Sequence, residues 1–242
     1  MFIDMHCHIL PGVDDGAESV DEACEMIRKA ADSGTTVMLA TPHYRNPDRC
    51  SVNNDKETIQ TAYRFLKHEI AQREIPVTLF LGCEWLGAPD GRSLYKSGRL
   101  ITINGSDYIL VEFLFDEPLA SVSACLRQLI ACGLHPVIAH PERYDCFANE
   151  PYAVFDFLKM GCKLQVNKGS PIGHYGTHAK TYSEWLLDHD LAHLVASDCH
   201  NVYYRNADME EIYHWMLPRY SEEKVRLLLH DNPKRILLNQ PI

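Results

Sequence analysis

The sequence predicts a mixed α/β protein built as a distorted barrel of seven parallel strands alternating with helices, a distorted (β/α)7 barrel. Seven short, nearly all-apolar segments are typical of strands that are covered on both faces. The segments between them carry apolar residues at helical spacing. At 242 residues, of which 46% are hydrophobic, the chain is long enough for one large core, so we expect a single domain over residues 1–242.

The predicted strands and helices alternate along the chain. The first strand contains residues 2–10, FIDMHCHIL. Ser19, with Glu22 three residues later, forms a capping box that begins a helix over 19–33, and Gly34 ends this helix. The other strands are predicted at 36–40, 77–82, 108–113, 136–140, 163–167 and 192–197. The other helices are predicted near 55–73, before Gly133, over 151–161, 178–189, 208–217 and 221–230, and in a last helix that has Asn232 as N-cap and Pro233 as its first residue.

The composition argues against several classes of protein. The formal net charge of −10 disfavours nucleic acid as a partner, because binding to it depends on Lys and Arg side chains that neutralise phosphates. The chain has no apolar run of about 18 residues and no signal-peptide pattern at its start, so we expect it neither to span a membrane nor to be exported. Its nine cysteines include no C-x-x-C pair and are typical of reduced thiols. These features predict a cytoplasmic protein.

The first predicted strand carries a candidate pair of metal ligands. Side chains alternate between the two faces of a strand, so Asp4, His6 and His8 are expected to share one face. Two imidazoles on one face can bind one cation. Because the chain has 13 histidines, an H-x-H pair also arises by chance, and the rest of the sequence must decide.

Histidine, aspartate and glutamate residues recur at the carboxyl ends of the predicted strands. Barrel enzymes of this architecture carry their active sites at that end of the strands. Gathering so many carboxylates and imidazoles in one buried place is costly unless cations neutralise them, so the pattern predicts a site for several metal ions. The residues are His6, His8, His43, Glu84, Glu112, His140, Asp198 and His200.

Six short motifs resemble those of the polymerase-and-histidinol-phosphatase (PHP) superfamily. They are DMHCHILPGVDDG, TPHY, GCE, VEF, AHPERY and ASDCHN, and the resemblance extends over essentially the whole chain. Within the superfamily, PGVDDG, HPERY and the chain length are similar to the manganese-dependent protein-tyrosine phosphatases that bacteria encode with capsule and exopolysaccharide genes. The resemblance implies a distorted (β/α)7 barrel of the PHP type that holds three divalent metal ions.

The resemblance also implies which residues bind each metal. The first metal would be bound by His6, His8, Glu84 and Asp198, the second by Glu84, Glu112 and His140, and the third by Asp14, His43 and His200. Glu84 would then bridge two metals. Asp14 and Glu112 stand where many relatives outside the subfamily carry histidine, so the ligand set is rich in oxygen and suits Mn or Fe(II) better than Zn. We expect Mn, with Fe, Co, Zn and Mg as alternatives.

The predicted reaction is hydrolysis of a phosphomonoester by a hydroxide that bridges two metals. Metals lower the pKa of bound water, and cations and guanidinium groups take up charge on the phosphoryl oxygens. Arg143 and Arg205 match phosphate-contacting arginines of the family. Asp4 and Asp15 are expected to orient imidazoles or waters, or else to bond backbone amides in a turn. The partner implied by the resemblance is a phosphotyrosine protein, namely the tyrosine-rich tail of a bacterial tyrosine kinase that controls extracellular polysaccharide assembly.

Four other interpretations stay open at this point. The same barrel and metals suit a small phosphomonoester such as histidinol phosphate. An amidohydrolase also begins with H-x-H, but it requires a bridging lysine where this chain has Glu112. Cys199 and Arg205 have the spacing of cysteine-dependent tyrosine phosphatases, although the residues between them include no glycine. A metal-storage protein has no use for two arginines beside its metals.

Overall fold

The strand pairings among the described residues are all parallel, as the sequence predicts. The structure is a computed structural model that describes residues 1–50 and 54–242. Its strands are β1 Phe2–Cys7, β2 Thr35–Ala40, β3 His43–Tyr44, β4 Thr78–Leu81, β5 Glu84–Leu86, β6 Tyr108–Glu112, β7 His135–Ala139, β8 Lys163–Asn167 and β9 Leu194–Ala196. Its α-helices are α1 Val20–Asp32, α2 Lys56–Gln72, α3 Gly91–Lys96, α4 Leu119–Ile130, α5 Asp145–Asn149, α6 Val154–Lys159, α7 Gly169–Ile172, α8 Gly176–Asp188, α9 Glu210–Met216, α10 Glu222–Arg226 and α11 Asn232–Leu237.

The nine strands occupy seven positions around the barrel. They form one sheet in the order β1-β2-β4 and a second in the order β3-β5-β6-β7-β8-β9. β3 follows β2 after Thr41 and Pro42, and β5 follows β4 after Gly82 and Cys83, so each predicted strand, 36–40 and 77–82, continues after a short interruption into a segment that belongs to the other sheet. The barrel is therefore the predicted distorted (β/α)7 type, split between two sheets.

β1 closes the barrel against the segment that follows β9. The amide of Asp198 donates to His6 O and the amide of His8 donates to Cys199 O, both at 2.9 Å. Cys7 and Cys199 form an isolated parallel bridge. These contacts place the two ends of the ligand set, residues 6–8 and 198–200, side by side.

An irregularity in β1 overturns the prediction that Asp4 shares a face with the two histidines. Asp4 pairs with Met38 and Cys7 pairs with Ala40, so three residue steps on β1 oppose two on β2. The extra residue breaks the alternation of side chains. The Asp4 carboxylate consequently lies within 4.8 Å of the Cys7 and Cys199 thiols and apart from the imidazoles.

The apolar residues of the barrel form two clusters. The smaller cluster fills the barrel interior and includes Ile3, Met5, Leu39, Leu110 and Val137. The larger one lies between the strands and the surrounding helices. Residues near the chain end cover the end of the barrel opposite the ligands, since Ile236 and Leu237 join the interior cluster and Tyr108 Oη donates to Gln240 O at 2.9 Å. Within the described ranges, no helix is both long enough and apolar enough to cross a membrane.

The last helical region differs from the prediction. A π-helical turn over Leu227–Asp231 connects α10 to α11, so the helix does not restart at Asn232. Asn232 has helical φ and ψ angles of −64° and −48°, and its side-chain amide donates to His193 O at 2.8 Å. The predicted N-cap is therefore wrong, because the side chain bonds the residue just before β9 instead of the first turn of its own helix.

Candidate metal centre

Four buried side chains surround one point at the carboxyl end of the barrel. The Nε2 atoms of His6 and His8 are 3.1 Å apart. Glu84 Oε2 lies 3.2 and 3.3 Å from these nitrogens, and Asp198 Oδ1 lies 3.5 and 3.4 Å from them. Neighbouring donors of one metal ion lie about 3 Å apart at the usual bond lengths, so each of the two nitrogens is spaced to share an ion with both carboxylate oxygens. The four side chains therefore fit one bound metal ion.

Several polar atoms of the same region have no hydrogen-bond partner. A buried polar atom without a partner is costly, and a metal ion satisfies it. Among the described residues, the buried atoms that have no hydrogen-bond partner include Glu84 Oε2, Asp198 Oδ1, His43 Nε2, His140 Nδ1 and His200 Nε2. The donor set of imidazoles and carboxylates is one that divalent transition metals accept.

Glu84 lies at the centre of the ligand set. It begins β5 directly after the interruption at residues 82–83, which turns its side chain toward the barrel axis. Its Oε1 atom is 2.8 Å from His140 Nε2, while its Oε2 atom is 3.0 Å from His43 Nδ1 in addition to the contacts with His6 and His8. Both oxygens therefore face imidazole nitrogens, one on each side of the carboxylate.

Two of the candidate ligands have left-handed backbone conformations. His140 has φ 32° and ψ 56°, and Asp198 has φ 52°. Such angles are uncommon outside glycine and cluster at functional sites, where the surrounding structure holds them. His140 directly follows β7 and Asp198 lies two residues after β9, so both left-handed turns lie at the carboxyl ends of strands. His140 lies within 4.8 Å of His6 and Asp198 through its ligand nitrogen.

His43 connects the Glu84 region to a second carboxylate. Its Nδ1 atom is 2.8 Å from Glu112 Oε1, and this oxygen also accepts from Asn46 Nδ2 at 3.0 Å. His43, Glu84 and Glu112 form one of the groups whose ligand atoms lie within 4.8 Å of one another. Glu112 is thus adjacent to Glu84 and His43, at the end of β6 where the sequence placed it.

The structure exchanges the places predicted for Asp14 and Asp15. Asp15 Oδ1 faces His43 Nε2 at 3.3 Å and His200 Nε2 at 3.5 Å, in a group that also contains His8. Asp14 instead contacts His8 Nδ1 at 2.8 Å and accepts from the amide of His43 at 2.9 Å. Asp15 is therefore positioned as a ligand, and Asp14 as the group that orients His8.

The electrostatics of the site keep its carboxylates ionised. Burial lowers the pKa of His6 and His43, but the neighbouring Glu84 carboxylate outweighs it and raises both above the usual value. Burial raises the pKa of Glu84, but the nearby imidazoles of His6 and His43 have the larger, opposite effect. The net pKa of Glu84 lies well below its usual range. Burial likewise raises the pKa of Asp198, and Arg205 and His6 outweigh it, so that carboxyl is also ionised. Burial, together with the neighbouring His8, lowers the pKa of His200 to about 4, which keeps its imidazole neutral at physiological pH.

β8 supplies a hydrogen-bonded chain that the sequence analysis did not identify. Gln165 Oε1 lies 2.8 Å from His6 Nδ1, and Gln165 Nε2 donates to Asn167 Oδ1 at 2.8 Å. Asn167 Nδ2 then donates to Asp198 Oδ2 at 2.7 Å. The two amides thereby link ligands that come from opposite ends of the chain. The signal in the sequence was the presence of Gln and Asn at alternate positions of an otherwise apolar strand, KLQVN.

Both predicted arginines lie beside Asp198. Arg205 Nη2 is 2.6 Å and Arg143 Nη1 is 3.6 Å from Asp198 Oδ2, and the two side chains are 24% and 19% exposed. Exposure therefore increases from the buried ligands to the arginines, which border the mouth of the site. Two guanidinium groups next to metal ligands provide donors for a tetrahedral oxyanion.

Cys199 is poorly placed for a thiolate mechanism. It is fully buried, and its thiol lies within 4.8 Å of the Cys7 thiol and the Asp4 carboxylate. The Asp4 carboxylate accepts from the amide of Ser197 at 2.9 Å, so it fixes this backbone segment rather than a water or an imidazole. The cysteine-dependent alternative therefore lacks the exposed nucleophile that it requires.

Comparisons with known proteins agree with this architecture and donor set. The profile of the family described as capsular polysaccharide synthesis, CpsB/CapC, matches residues 2–238. Tyrosine-protein phosphatase YwqE of Bacillus subtilis is 32% identical over 99% of this chain and 93% of its own length. Tyrosine-protein phosphatase CpsB of Streptococcus pneumoniae is 30% identical over 99% of this chain and 100% of its own length.

Solved structures of related proteins have the same fold. A structure from the work on YwqE of Bacillus subtilis and CpsB of Streptococcus pneumoniae, described as unique metal-dependent tyrosine phosphatases, has a TM-score of 0.91. It is 32% identical in sequence, and the match covers 99% of this chain and 96% of that one. An amidohydrolase from Mycoplasma synoviae has a TM-score of 0.62 at 11% identity, over 98% of this chain and 87% of that one, and so shares the fold.

Proposed function

The chain belongs to the CpsB/CapC family of capsular polysaccharide synthesis proteins, and on that basis we propose that it is a metal-dependent protein-tyrosine phosphatase. The observation that carries the proposal is the buried cluster of His6, His8, Glu84 and Asp198 with two arginines beside Asp198. Metal ligands next to oxyanion donors suit hydrolysis of a phosphate ester. The relatives named as tyrosine-protein phosphatases support phosphotyrosine as the substrate.

We propose three divalent metal ions, with Mn as the first choice and Fe, Co, Zn or Mg as alternatives. The first would be bound by His6, His8, Glu84 and Asp198. The second would be bound by Glu84, Glu112 and His140, the set that the family resemblance implies, in which His140 contacts Glu84. The third would be bound by Asp15, His43 and His200. Bound metals would supply a water of lowered pKa as nucleophile and positive charge against the phosphoryl oxygens. The oxygen-rich donor set favours Mn over Zn.

The side chains of the protein bind and orient the phosphate. Arg143 and Arg205 direct guanidinium donors at the phosphoryl oxygens, whose charge increases in the transition state. Asp14 and Gln165 each bond the Nδ1 atom of a histidine ligand, His8 and His6 respectively, and so direct its Nε2 atom toward the metal. A tyrosinate is a good leaving group, so the reaction depends little on a general acid.

We propose that the physiological substrate is a phosphotyrosine in the tyrosine-rich tail of a bacterial tyrosine kinase. Membership of a capsular polysaccharide synthesis family supports this choice. All nine cysteines are free thiols, which supports action in the reducing environment of the cytoplasm. We further propose that residues 1–242 fold as one domain.

The decisive experiment compares substrates and metals in the same preparation. Metal-stripped protein is resupplied with Mn, Fe, Co or Zn and assayed on a phosphotyrosine peptide, the matching phosphoserine peptide and histidinol phosphate. We expect activity to require metal and to favour phosphotyrosine. Equal or faster turnover of histidinol phosphate would instead assign a small-molecule phosphatase.

A chelator and one cysteine variant separate the two possible nucleophiles. We expect a chelator to abolish activity and Cys199→Ala to retain most of it, because the Cys199 thiol is buried beside Cys7. Loss of activity in a Cys199→Ala protein that still contains its metals would support the thiolate mechanism.

A further inference from the structure

The guanidinium group of Arg143 is held between two aromatic side chains. Its central carbon lies 4.5 Å from the ring centroid of Phe115 and 4.7 Å from that of Tyr175. Both distances are within the range of cation–π attraction. An arginine side chain loses considerable conformational entropy when a ligand fixes it in one rotamer. Because the two aromatic rings already restrict Arg143, less entropy is lost when it binds a ligand.

Phe115 stands between the metal ligands and solvent. Its ring centroid is 6.4 Å from that of His140, in an edge-to-face arrangement. The residue is 38% exposed, and its neighbour Leu114 is 47% exposed, whereas His140 is 3% exposed. Its backbone oxygen accepts from the amide of Asp145 at 2.8 Å, which ties it to the segment that carries Arg143. An apolar ring thus forms part of the rim above the buried ligands.

Tyr175 occupies space that a side chain at position 169 would fill. A Cβ atom added to Gly169 would lie 3.0 Å from Tyr175 Cε2 and 3.0 Å from His174 Nδ1. The glycine therefore permits the loop before α8 to bring the Tyr175 ring down beside Arg143. Burial raises the pKa of Tyr175, so its hydroxyl stays protonated next to the two arginines.

We propose that Phe115 and Tyr175 determine the preference of the site for aryl phosphates, an inference that rests on the proposed phosphatase function. Tyr175 is a positioning residue that holds Arg143, and Phe115 packs against the phenyl ring of the substrate. Phosphotyrosine places its phosphate one ring farther from the peptide backbone than phosphoserine does. A phosphate bound between Arg143 and Arg205 therefore leaves the phenyl ring at the level of Phe115, where aromatic contact stabilises it.

The role of Phe115 can be tested by the binding of phosphonates, which resemble phosphate esters but are not hydrolysed. Phe115→Leu is compared with Phe155→Leu, a control whose phenylalanine is similarly exposed, at 37%, but packs on Tyr152 and Trp185. Inhibition constants of phenylphosphonate and methylphosphonate are measured against turnover of p-nitrophenyl phosphate. We expect Phe115→Leu to weaken phenylphosphonate about fivefold, as for loss of one aromatic contact, and to leave methylphosphonate unchanged.

Two variants at one position test the role of Tyr175. Tyr175→Phe keeps the ring on Arg143, whereas Tyr175→Leu removes it. We expect Tyr175→Leu to raise KM for a phosphotyrosine peptide and the inhibition constant of inorganic phosphate about fivefold, with metal content unchanged, because it loosens an oxyanion ligand. Tyr175→Phe should restore both constants to near the wild-type values.

The results separate failure of this inference from failure of the proposed function. If wild-type protein hydrolyses phosphotyrosine but Phe115→Leu weakens both phosphonates equally, or matches Phe155→Leu, the aromatic selection is refuted. If Tyr175→Phe is as impaired as Tyr175→Leu, the ring does not act through Arg143. If wild-type protein with metal fails to hydrolyse phosphotyrosine at all, the proposed function itself has failed.

Discussion

At the scale of single residues, the sequence predicts which types of ligand are present better than it predicts which neighbour faces the site. Asp14 and Asp15 are adjacent residues of the same type, so the sequence does not indicate which of them faces the site. The difference comes from the turn that contains them, in which Asp14 Oδ1 accepts from the amide of Gly16 at 3.1 Å. A Cβ atom on Gly16 would lie 2.1 Å from His8 O, so only glycine allows the turn to pack this closely.

Substitution of these two carboxylates distinguishes a ligand from an orienting group. We expect Asp15→Asn to lose about one metal ion per chain, because Asp15 faces His43 and His200. Asp14→Asn should keep the full number of ions but hold them about 10-fold more weakly, since it only orients His8. Elemental analysis after dialysis against a graded series of chelator concentrations measures both effects, and loss of an ion from the Asp14 variant would restore the ligand assignment implied by family resemblance.

His193, at the edge of β9, is expected to make stability depend on pH. Burial and the charge of Lys163 lower the pKa of His193 to about 4 in the folded protein, against 6.5 for an ordinary histidine. Between these pH values the unfolded chain binds a proton that the folded chain does not, so this contribution to stability is complete above about pH 6.5 and is lost as the pH falls toward 4. We expect His193→Gln to reduce the loss of unfolding free energy from pH 7 to pH 4.5 by roughly 2 kcal/mol. Urea unfolding at both pH values checks this, and parallel curves for variant and wild type would contradict it.

At the scale of secondary structure elements, the strands were predictable and their local irregularities were not. Apolar runs bounded by glycine, proline and polar residues located β6 to β9 within about two residues, as expected for boundaries. The extra residue in β1, which separates Asp4 from His6, has no sequence signature because it arises from pairing with β2. The role of β8 was also missed, since Gln165 and Asn167 act through ligands that belong to other elements.

Removal of the Gln165 amide tests the role of β8 in the metal centre. Gln165→Leu leaves His6 Nδ1 without its partner, so the ring is no longer held in the tautomer that binds metal through Nε2. We expect metal affinity to fall 10-fold or more, measured by competition with a fluorescent chelator. The matched control is Gln72→Leu, at an exposed position at the end of α2. Equal affinities in the two variants would show that the amide does not orient His6.

At the scale of the whole molecule, the metal centre is also a structural junction. Its candidate ligands come from β1, from four further strand positions and from the segment that closes the barrel against β1. The convergence was predictable from sequence because parallel strands in a barrel end on one side. The split into two sheets was not, because it depends on how the interruptions at residues 41–42 and 82–83 pack.

Metal removal should therefore lower the stability of the entire fold. Ions that bind the folded chain and not the unfolded one stabilise it by mass action. We expect a chelator to lower the midpoint of thermal unfolding by about 5 °C or more, and excess Mn to restore it. Differential scanning calorimetry measures the shift. An unchanged midpoint, with loss of metal verified by elemental analysis, would mean that the ions contribute nothing to holding the barrel closed.

The closure between β1 and residues 198–199 has a consequence for the synthesis of the protein. His6 and His8 leave the ribosome almost two hundred residues before Asp198 and His200, which lie beside them in the folded protein. A nascent chain consequently cannot assemble its complete first ion-binding pocket until its final strand has emerged and docked. Metal binding is therefore expected late in the maturation of the protein. A chain that terminates before Asp198 lacks part of the first ion-binding pocket.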